Sequence, residues 1–336
     1  MSELFRSTIN DVARLSGVSI KTVSRVLNGG SQVSEKTKNR VLEAMNACSY
    51  QVNLFARGLK GARTNIIMVF VDRHEEEHMS MWHNMILKYL FRYGKEYGLK
   101  IMVAPSNSEE YISDETDGFY MLSSGVADGA ILLENVQHDP RSQYLREHGI
   151  PFLIFGEPDD DSMYAVSLDN YQVGYLGGEY LKSKPFHKVA FLVGEDKFLS
   201  TQNRVRGFQD ALRGSGVQYD ITTHIVSTQQ AYEKGRELLG KQKYDAFFVS
   251  GDERALGVYR AVYERGCRIP QDVAVLGIDN IPSGEFYYPP ISTIEQDFDG
   301  MAKTMVQMLC QLIREQTPPE HKQVQFQPSI IEREST

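Results

Sequence analysis

Thr8-Ile9-Asn10-Asp11-Val12-Ala13-Arg14-Leu15-Ser16-Gly17-Val18-Ser19-Ile20-Lys21-Thr22-Val23-Ser24-Arg25-Val26-Leu27-Asn28-Gly29-Gly30 reads as two short helices joined by a tight turn. Thr8 with Asp11 three residues on has the form of a capping box, and an acid in the first turn suits the positive end of the helix dipole. Gly17 suits the left-handed backbone of the turn, and Ser19 is an N-cap for the second helix. Ala13 is small where two helices approach, while Val18, Val23 and Val26 supply apolar packing. This is the pattern of a helix-turn-helix, which lays its second helix in the DNA major groove. Ile20, Lys21, Thr22 and Arg25 then fall near the start of that helix and on its outward surface, as base readers. A plain helical hairpin with solvated charges would leave the matched caps unexplained. A third helix is expected from the Ser34 cap, with Glu35 in its first turn and Val41, Leu42 and Met45 closing a small three-helix core.

Charge separates the same region from the rest. Residues 1–63 hold ten Lys or Arg against four Asp or Glu, a net of +6, whereas the 336-residue chain is −8, so residues 64–336 carry −14. A basic head on an acidic body fits a protein that touches phosphate at one end and resists coating DNA with the other. The length exceeds one typical domain, and 41% apolar content is enough for a sizeable core. Cys48, Cys267 and Cys310 are scattered, without a Cys-x-x-Cys pair, which predicts reduced, buried thiols. The first residues lack the apolar run of a signal peptide, and no segment approaches the ~20 apolar residues of a membrane span, so a cytoplasmic location without membrane attachment is expected.

Asn53-Leu54-Phe55-Ala56-Arg57-Gly58-Leu59-Lys60-Gly61 follows as at most two turns of helix, too short to be stable in water unless something packs on it. Leu59 beside Lys60 suits an apolar wedge in the minor groove flanked by a phosphate contact. A plain linker whose leucine packs on its own body is the other reading.

Residues 8–61 closely resemble the DNA-binding head and hinge of lactose-repressor type (LacI/GalR) transcription regulators, most specifically in Thr22-Val23-Ser24-Arg25-Val26-Leu27-Asn28. The resemblance runs through almost the whole chain. It implies a homodimer whose recognition helices enter two half-sites of a pseudo-palindromic operator, with paired hinge helices inserting Leu59 into the central base step. The DNA-contacting set is then Thr8, Ser19, Ile20, Lys21, Thr22, Ser24, Arg25, Asn28, Asn53, Arg57, Leu59 and Lys60. Val52 stands where the family usually has proline, which removes a rigid entry to the hinge.

Beyond residue 64 apolar strand-like runs alternate with helix-length stretches. Ile66–Val71, Ile101–Ala104, Gly129–Leu133 and Phe152–Phe155 read as buried parallel strands of one doubly wound lobe, with Met81–Tyr97 among the helices. A second series is expected from Ala165–Leu168, Val189–Val193, Ile221–Val226, Ala246–Val249 and Val273–Ile278. Two open parallel sheets imply two lobes and a cleft, with ligand groups at the carboxyl ends of the strands. The resemblance implies a body like a periplasmic sugar-binding protein (type I), crossing between lobes three times, including near Glu295 and Gln327. The expected organisation is α/β: a three-helix head at 1–52, a hinge helix and linker at 53–63, and a bilobed body at 64–336. Its N-lobe would hold about 64–167 and 296–326, its C-lobe about 168–295 and 327–336.

The strand ends carry Asp72 and Arg73, Asp169 and Asn170, Ser250 and Asp252, and Asp279 and Asn280. Carboxylates, amides and a guanidinium around an apolar cleft describe a polyol receptor, because each sugar hydroxyl both donates and accepts. Any one of them can instead be a cap or turn residue, Asp169 above all. The resemblance implies that Asp279 and Arg204 bind effector, with Phe198, Ser200 and Asp252 in the same pattern. Trp82, the one tryptophan, reads either as core or as an aromatic platform for a pyranose. The expected effector set is Asp72, Arg73, Trp82, Phe198, Ser200, Arg204, Asp252 and Asp279. Phe155-Gly156-Glu157-Pro158 resembles a Gly-x-Pro turn of oligosaccharide-responsive members and leans towards a saccharide.

Other motifs are resisted. His74-Glu75-Glu76-Glu77-His78 fits the zincin spacing but sits at a strand end without a third ligand. Gly174, Gly177 and Gly178 miss the dinucleotide fingerprint, and no nucleophile elbow or phosphate loop occurs, so no enzyme and no cofactor are expected. The expected function is a repressor of carbohydrate-utilisation genes. The alternatives are a purine- or sugar-phosphate-responsive corepressor-type regulator and, further off, a solute-binding protein or enzyme on the same fold. The last residues carry no heptads, so no tetramerising coiled coil is expected there.

Overall fold

The computed structural model describes residues 7–27, 33–51, 63–72, 79–108, 118–315 and 318–336. They form two compact units that divide between Thr64 and Asn65.

The described residues of the first unit form three helices, α1 (Ile9–Ser16), α2 (Ile20–Leu27) and α3 (Glu35–Ala47). Thr8 N–H donates to the Asp11 carboxylate at 2.9 Å, and the Thr8 amide and hydroxyl hold that carboxyl below its usual range. Gly17 takes φ +64° at the end of α1, and Ser19 Oγ accepts Thr22 N–H at 3.1 Å to start α2. Val12, Val23, Val41 and Ala44 are the buried core, with Val18, Val26 and Met45 packed on it. Leu42, expected in that core, is exposed. At helical period the inward stripe runs through Val41, Ala44 and Met45, which turns residue 42 to solvent.

The second unit contains two six-stranded sheets. The first holds β1 (Ile66–Asp72), β2 (Lys100–Ser106), β3 (Gly129–Leu133), β4 (Phe152–Phe155), β5 (Ala165–Leu168) and β11 (Gln323–Phe326), in the order β11-β5-β4-β3-β1-β2. The second holds β6 (Lys188–Leu192), β7 (Gln218–Thr222), β8 (Ala246–Val249), β9 (Ala274–Asp279), β10 (Ser292–Glu295) and β12 (Ser329–Ile331), in the order β12-β10-β9-β8-β6-β7. All pairs are parallel except β10 with β12. The helices are α4 (Met81–Glu96), α5 (Gly118–Ser123), α6 (Pro140–Glu147), α7 (Asn170–Lys182), α8 (Leu199–Leu212), α9 (Thr228–Lys241), α10 (Asp252–Glu264) and α11 (Phe298–Cys310).

Both sheets are buried on both faces, as parallel sheets require. In β1, Ile67, Val69 and Val71 face one apolar cluster, while Met68 and Phe70 face another. In β6, Phe191 and Leu192 divide in the same way. The chain passes between the sheets after β5, after β10 and after β11.

Two strands differ from expectation. Ala165–Leu168 does not open the second series; it pairs with β4 and β11 and belongs to the first sheet. The strand expected over Ile221–Val226 runs instead over Gln218–Thr222, an edge strand whose residues are exposed or half-buried. An edge strand lacks the apolar run that marks a central one.

Candidate functional site

In the first unit, Thr8, Ser19, Ile20, Lys21 and Arg25 are exposed, and Thr22 and Ser24 are half-buried. Lys21 and Arg25 leave α2 on the side away from the Val23 core, and Ile20 stands exposed at its start, so their side chains are available to a groove. Ser19 and Thr22 also serve the fold, since their hydroxyls lie 2.9 Å apart in the cap. Asn28, Asn53, Arg57, Leu59 and Lys60, with Val52, lie outside the described residues.

In the second unit the order of each sheet reverses direction between β1 and β3 and again between β6 and β8. Such switch points open a crevice beyond the carboxyl ends of the strands. Glu134 and Asn135 follow β3, Gly194 and Glu195 follow β6, and Ser250 follows β8; all of them line one cleft. Counted out to its open mouth, solvent included, the space between them is about 1030 Å³. Trp82, at the start of α4, stacks on His83 with centroids 3.8 Å apart and tilts against Phe155 at 6.0 Å. Trp82, Phe155 and Phe198, with Leu168 and Val226, form the apolar part of the lining.

Arg204 reaches the cleft because α7 and α8 pack almost backbone to backbone. A Cβ on Gly174 would sit 1.9 Å from the Arg204 carbonyl oxygen. Gly174 and Gly178 are thus explained by the close packing of α7 on α8, and Gly177 by the Phe248 ring of the second sheet. Arg204 Nε donates to Asn170 Oδ1 at 2.8 Å, and Nη1 to Ser250 Oγ at 2.9 Å. Asp279 ends β9 at φ +110°, strained for a residue with a side chain, and accepts a hydrogen bond from Gln296 Nε2. Burial pushes the Asp279 carboxyl up and the Arg204 and Arg254 guanidiniums down, while the opposite charges oppose both shifts. Arg254 Nη1 donates to the Ile225 carbonyl at 2.8 Å. Glu157, whose carboxyl burial also pushes up, accepts from Asn203 Nδ2 of α8. Asn135 Nδ2 donates to the Glu157 carbonyl at 3.2 Å. Its buried Oδ1 has no hydrogen-bond partner among the described residues. The lobes touch again where Met81 N–H donates to Glu253 Oε2 at 2.7 Å and where Val136 bridges Phe198 backbone to backbone.

The structure therefore brings Trp82, Phe198, Ser200, Arg204 and Asp279 to one cleft. It does not bring Asp252 there. That carboxylate is fully buried, accepting Thr293 Oγ1–H at 2.7 Å and Ile281 N–H at 3.0 Å, and it ties the start of α10 to the second sheet. Asp72 ends β1, its side chain lies outside what is described, and Arg73 and the His74–His78 motif lie outside the described residues. Asp169 caps α7, accepting Gln172 N–H at 3.0 Å. Glu134, Asn135, Arg254 and Gln296 line the cleft without having been singled out. The strand-end rule that found Asp72 applies equally to Glu134 and Asn135 after β3, whereas nothing local marks Arg254 or Gln296.

Residues 8–53 match the model of bacterial regulatory proteins of the lacI family, and residues 179–336 that of the periplasmic binding protein-like domain. The HTH-type transcriptional regulator CelR of Thermobifida fusca is 30% identical over 323 residues, 93% of each chain. The chain belongs to the lacI family. Among solved LacI-family structures, the Lac repressor dimer bound to operator and the anti-inducer ONPF is similar to it at TM-score 0.83 and 26% identity. That match covers 98% of this chain and 99% of that one. A CelR–cellobiose complex is similar at TM-score 0.72 and 26% identity, over 98% and 100%. Among the described residues of this lacI-family chain, no helix is long and apolar enough to cross a membrane.

Proposed function

We propose that this lacI-family chain is a one-component repressor of carbohydrate-utilisation genes, whose operator affinity is set by a neutral saccharide in the cleft between its lobes. The observation that carries the reading is the lining. Glu134, Glu157, Glu195 and Asp279 outnumber Arg204 and Arg254, and both guanidiniums already donate within the protein. Lys197, the other nearby cation, sits 3.6 Å from Glu195. Among the described residues a phosphate or other anion finds no uncommitted positive face there. Hydroxyls, which donate and accept at once, match carboxylates, amides and hydroxyls beside aromatic rings.

Lys21 and Arg25 are the proposed base readers and Leu59 the proposed minor-groove wedge, acting from a homodimer on a pseudo-palindromic operator. Leu256, Tyr263 and Tyr288 are exposed around one C-lobe groove, the kind of surface a second subunit covers. The protein acts in the cytoplasm, as a regulator and not as an enzyme. A saccharide that weakens operator binding a hundredfold must itself bind a hundredfold more weakly to the operator complex, a coupling of about 2.7 kcal/mol.

A thermal-shift screen against glucose, cellobiose, maltose, guanine, hypoxanthine and glucose 6-phosphate tests this, followed by binding to operator selected from random duplexes. A sugar should raise Tm and release DNA. Stabilisation only by a purine or the phosphate, with tighter DNA binding, would replace the inducer reading with a corepressor.

A further inference from the structure

Behind the cleft lies a pair of charged side chains that line no part of it. Arg141 and Asp139, at the start of α6, are both 0% exposed. Arg141 Nε lies 3.0 and 3.2 Å from the two Asp139 carboxylate oxygens, and Nη2 lies 2.6 Å from one of them. The same guanidinium donates through Nη2 to the Glu134 carbonyl and through Nη1 to Ser106 Oγ, each at 2.8 Å. Asp139 in turn accepts Arg141 N–H at 2.9 Å and Val136 N–H at 3.5 Å.

We propose that Arg141 is a positioning residue for the effector cleft: with Asp139 it holds the 134–138 turn in the shape that presents Glu134 and Asn135 to the ligand and Val136 to Phe198 across the cleft. The inference rests on the cleft being the effector site. The turn needs such a hold, because Glu134 and His138 sit at φ +67° and +58°, a backbone region that residues with side chains occupy only when their surroundings impose it. Asp159 braces the other side, accepting His138 N–H at 2.7 Å and the Asn135 amide at 3.4 Å. One planar guanidinium thus joins the end of β2, the end of β3 and the cap of α6. A buried ion pair is a weak source of net stability, and what this one supplies is geometry. It acts through the turn, without touching the ligand.

Arg141→Lys keeps the charge and loses the planar fork. In the full-length variant, amide hydrogen exchange should rise at least tenfold at residues 134–138 and at Phe198, with helix content and exchange elsewhere in the second sheet unchanged. Trp82 emission reports the cleft, so Kd is read with whichever of glucose, cellobiose and maltose shifts it in the unsubstituted protein; that Kd should rise at least tenfold. Ser106→Ala leaves the ion pair intact and should move both readouts in the same direction by about two- to fivefold, which keeps the test decisive if the lysine variant does not fold. Faster exchange confined to residues 139–142, or spread evenly, with Kd unchanged, overturns the positioning role. If no sugar shifts Trp82 in the unsubstituted protein, the saccharide reading fails, while the exchange pattern still decides whether Arg141 holds the turn.

Discussion

The proposed recognition helix and the proposed effector cleft relate function to burial in opposite ways. Lys21 and Arg25 stand exposed on α2, above a small apolar core whose buried members among the described residues are Val12, Val23, Val41 and Ala44. Arg204 and Asp279 are tied into hydrogen bonds that also hold the body together, with Asn170, Ser250 and Gln296 as partners. A surface helix can change its readers without touching its core. A polar cleft cannot change its charges without unbalancing the groups that face them.

The largest effect should come from Asp279→Ala. Removing the carboxylate takes away the largest of the charges that oppose the desolvation of Arg204 and Arg254. The body should lose about 2–3 kcal/mol together with its response to saccharide, read by denaturant unfolding and thermal shift. A variant as stable as its parent would break the comparison, because function in the cleft would then be separable from folding.

Arg25→Ala should do the reverse. Loss of a base contact costs about 1–3 kcal/mol of specific operator binding, while an exposed substitution shifts stability by no more than about 0.5 kcal/mol. Footprinting and thermal unfolding of the same preparation test both halves. Retained sequence preference removes Arg25 from the readers, and a large stability loss would show that α2 is not the free surface its exposure indicates.

Asp252→Asn sharpens the comparison most finely. Burial, and then the charge of Asp279, raise the Asp252 carboxyl well above its ordinary value of 3.8. A raised folded-state pKa gives a contribution that is full below the unfolded value and is lost as pH rises through the folded one. The asparagine variant should therefore gain a few degrees of Tm over the parent near pH 7, lose that gain near pH 4, and keep its saccharide response. A normal pH profile with the response lost would return Asp252 to the ligand-binding residues.

How much of this could be read without coordinates depends on the range of the interaction involved. Thr8 with Asp11, the turn at Gly17, and the caps at Ser19 and Ser34 join residues no more than five apart, so their signals are contiguous in the chain. Asp279 and Ser250 were legible because parallel strands deliver their last residues to a crevice. Leu42 was misplaced by a single step of helical phase. Ala165–Leu168 shows a harder limit: four buried apolar residues carry no mark of which sheet they join, and here the choice depends on β11, about 150 residues later.

By itself the sequence determined the three capped helices, the identity of most central strands, the basic head on an acidic body, and the residue types at strand ends, because each depends on neighbours in the chain or on composition. Only the tertiary structure decided that Asp252 is sealed beneath the cleft while Arg254 and Gln296 line it. It alone showed that Arg141 braces the Glu134 turn and that Asp279, tied by Gln296, shares one cleft with Arg204 and Arg254. Those outcomes depend on which distant segments meet, and the free energy of a buried charge is set by whatever partners the fold brings within a few ångströms of it.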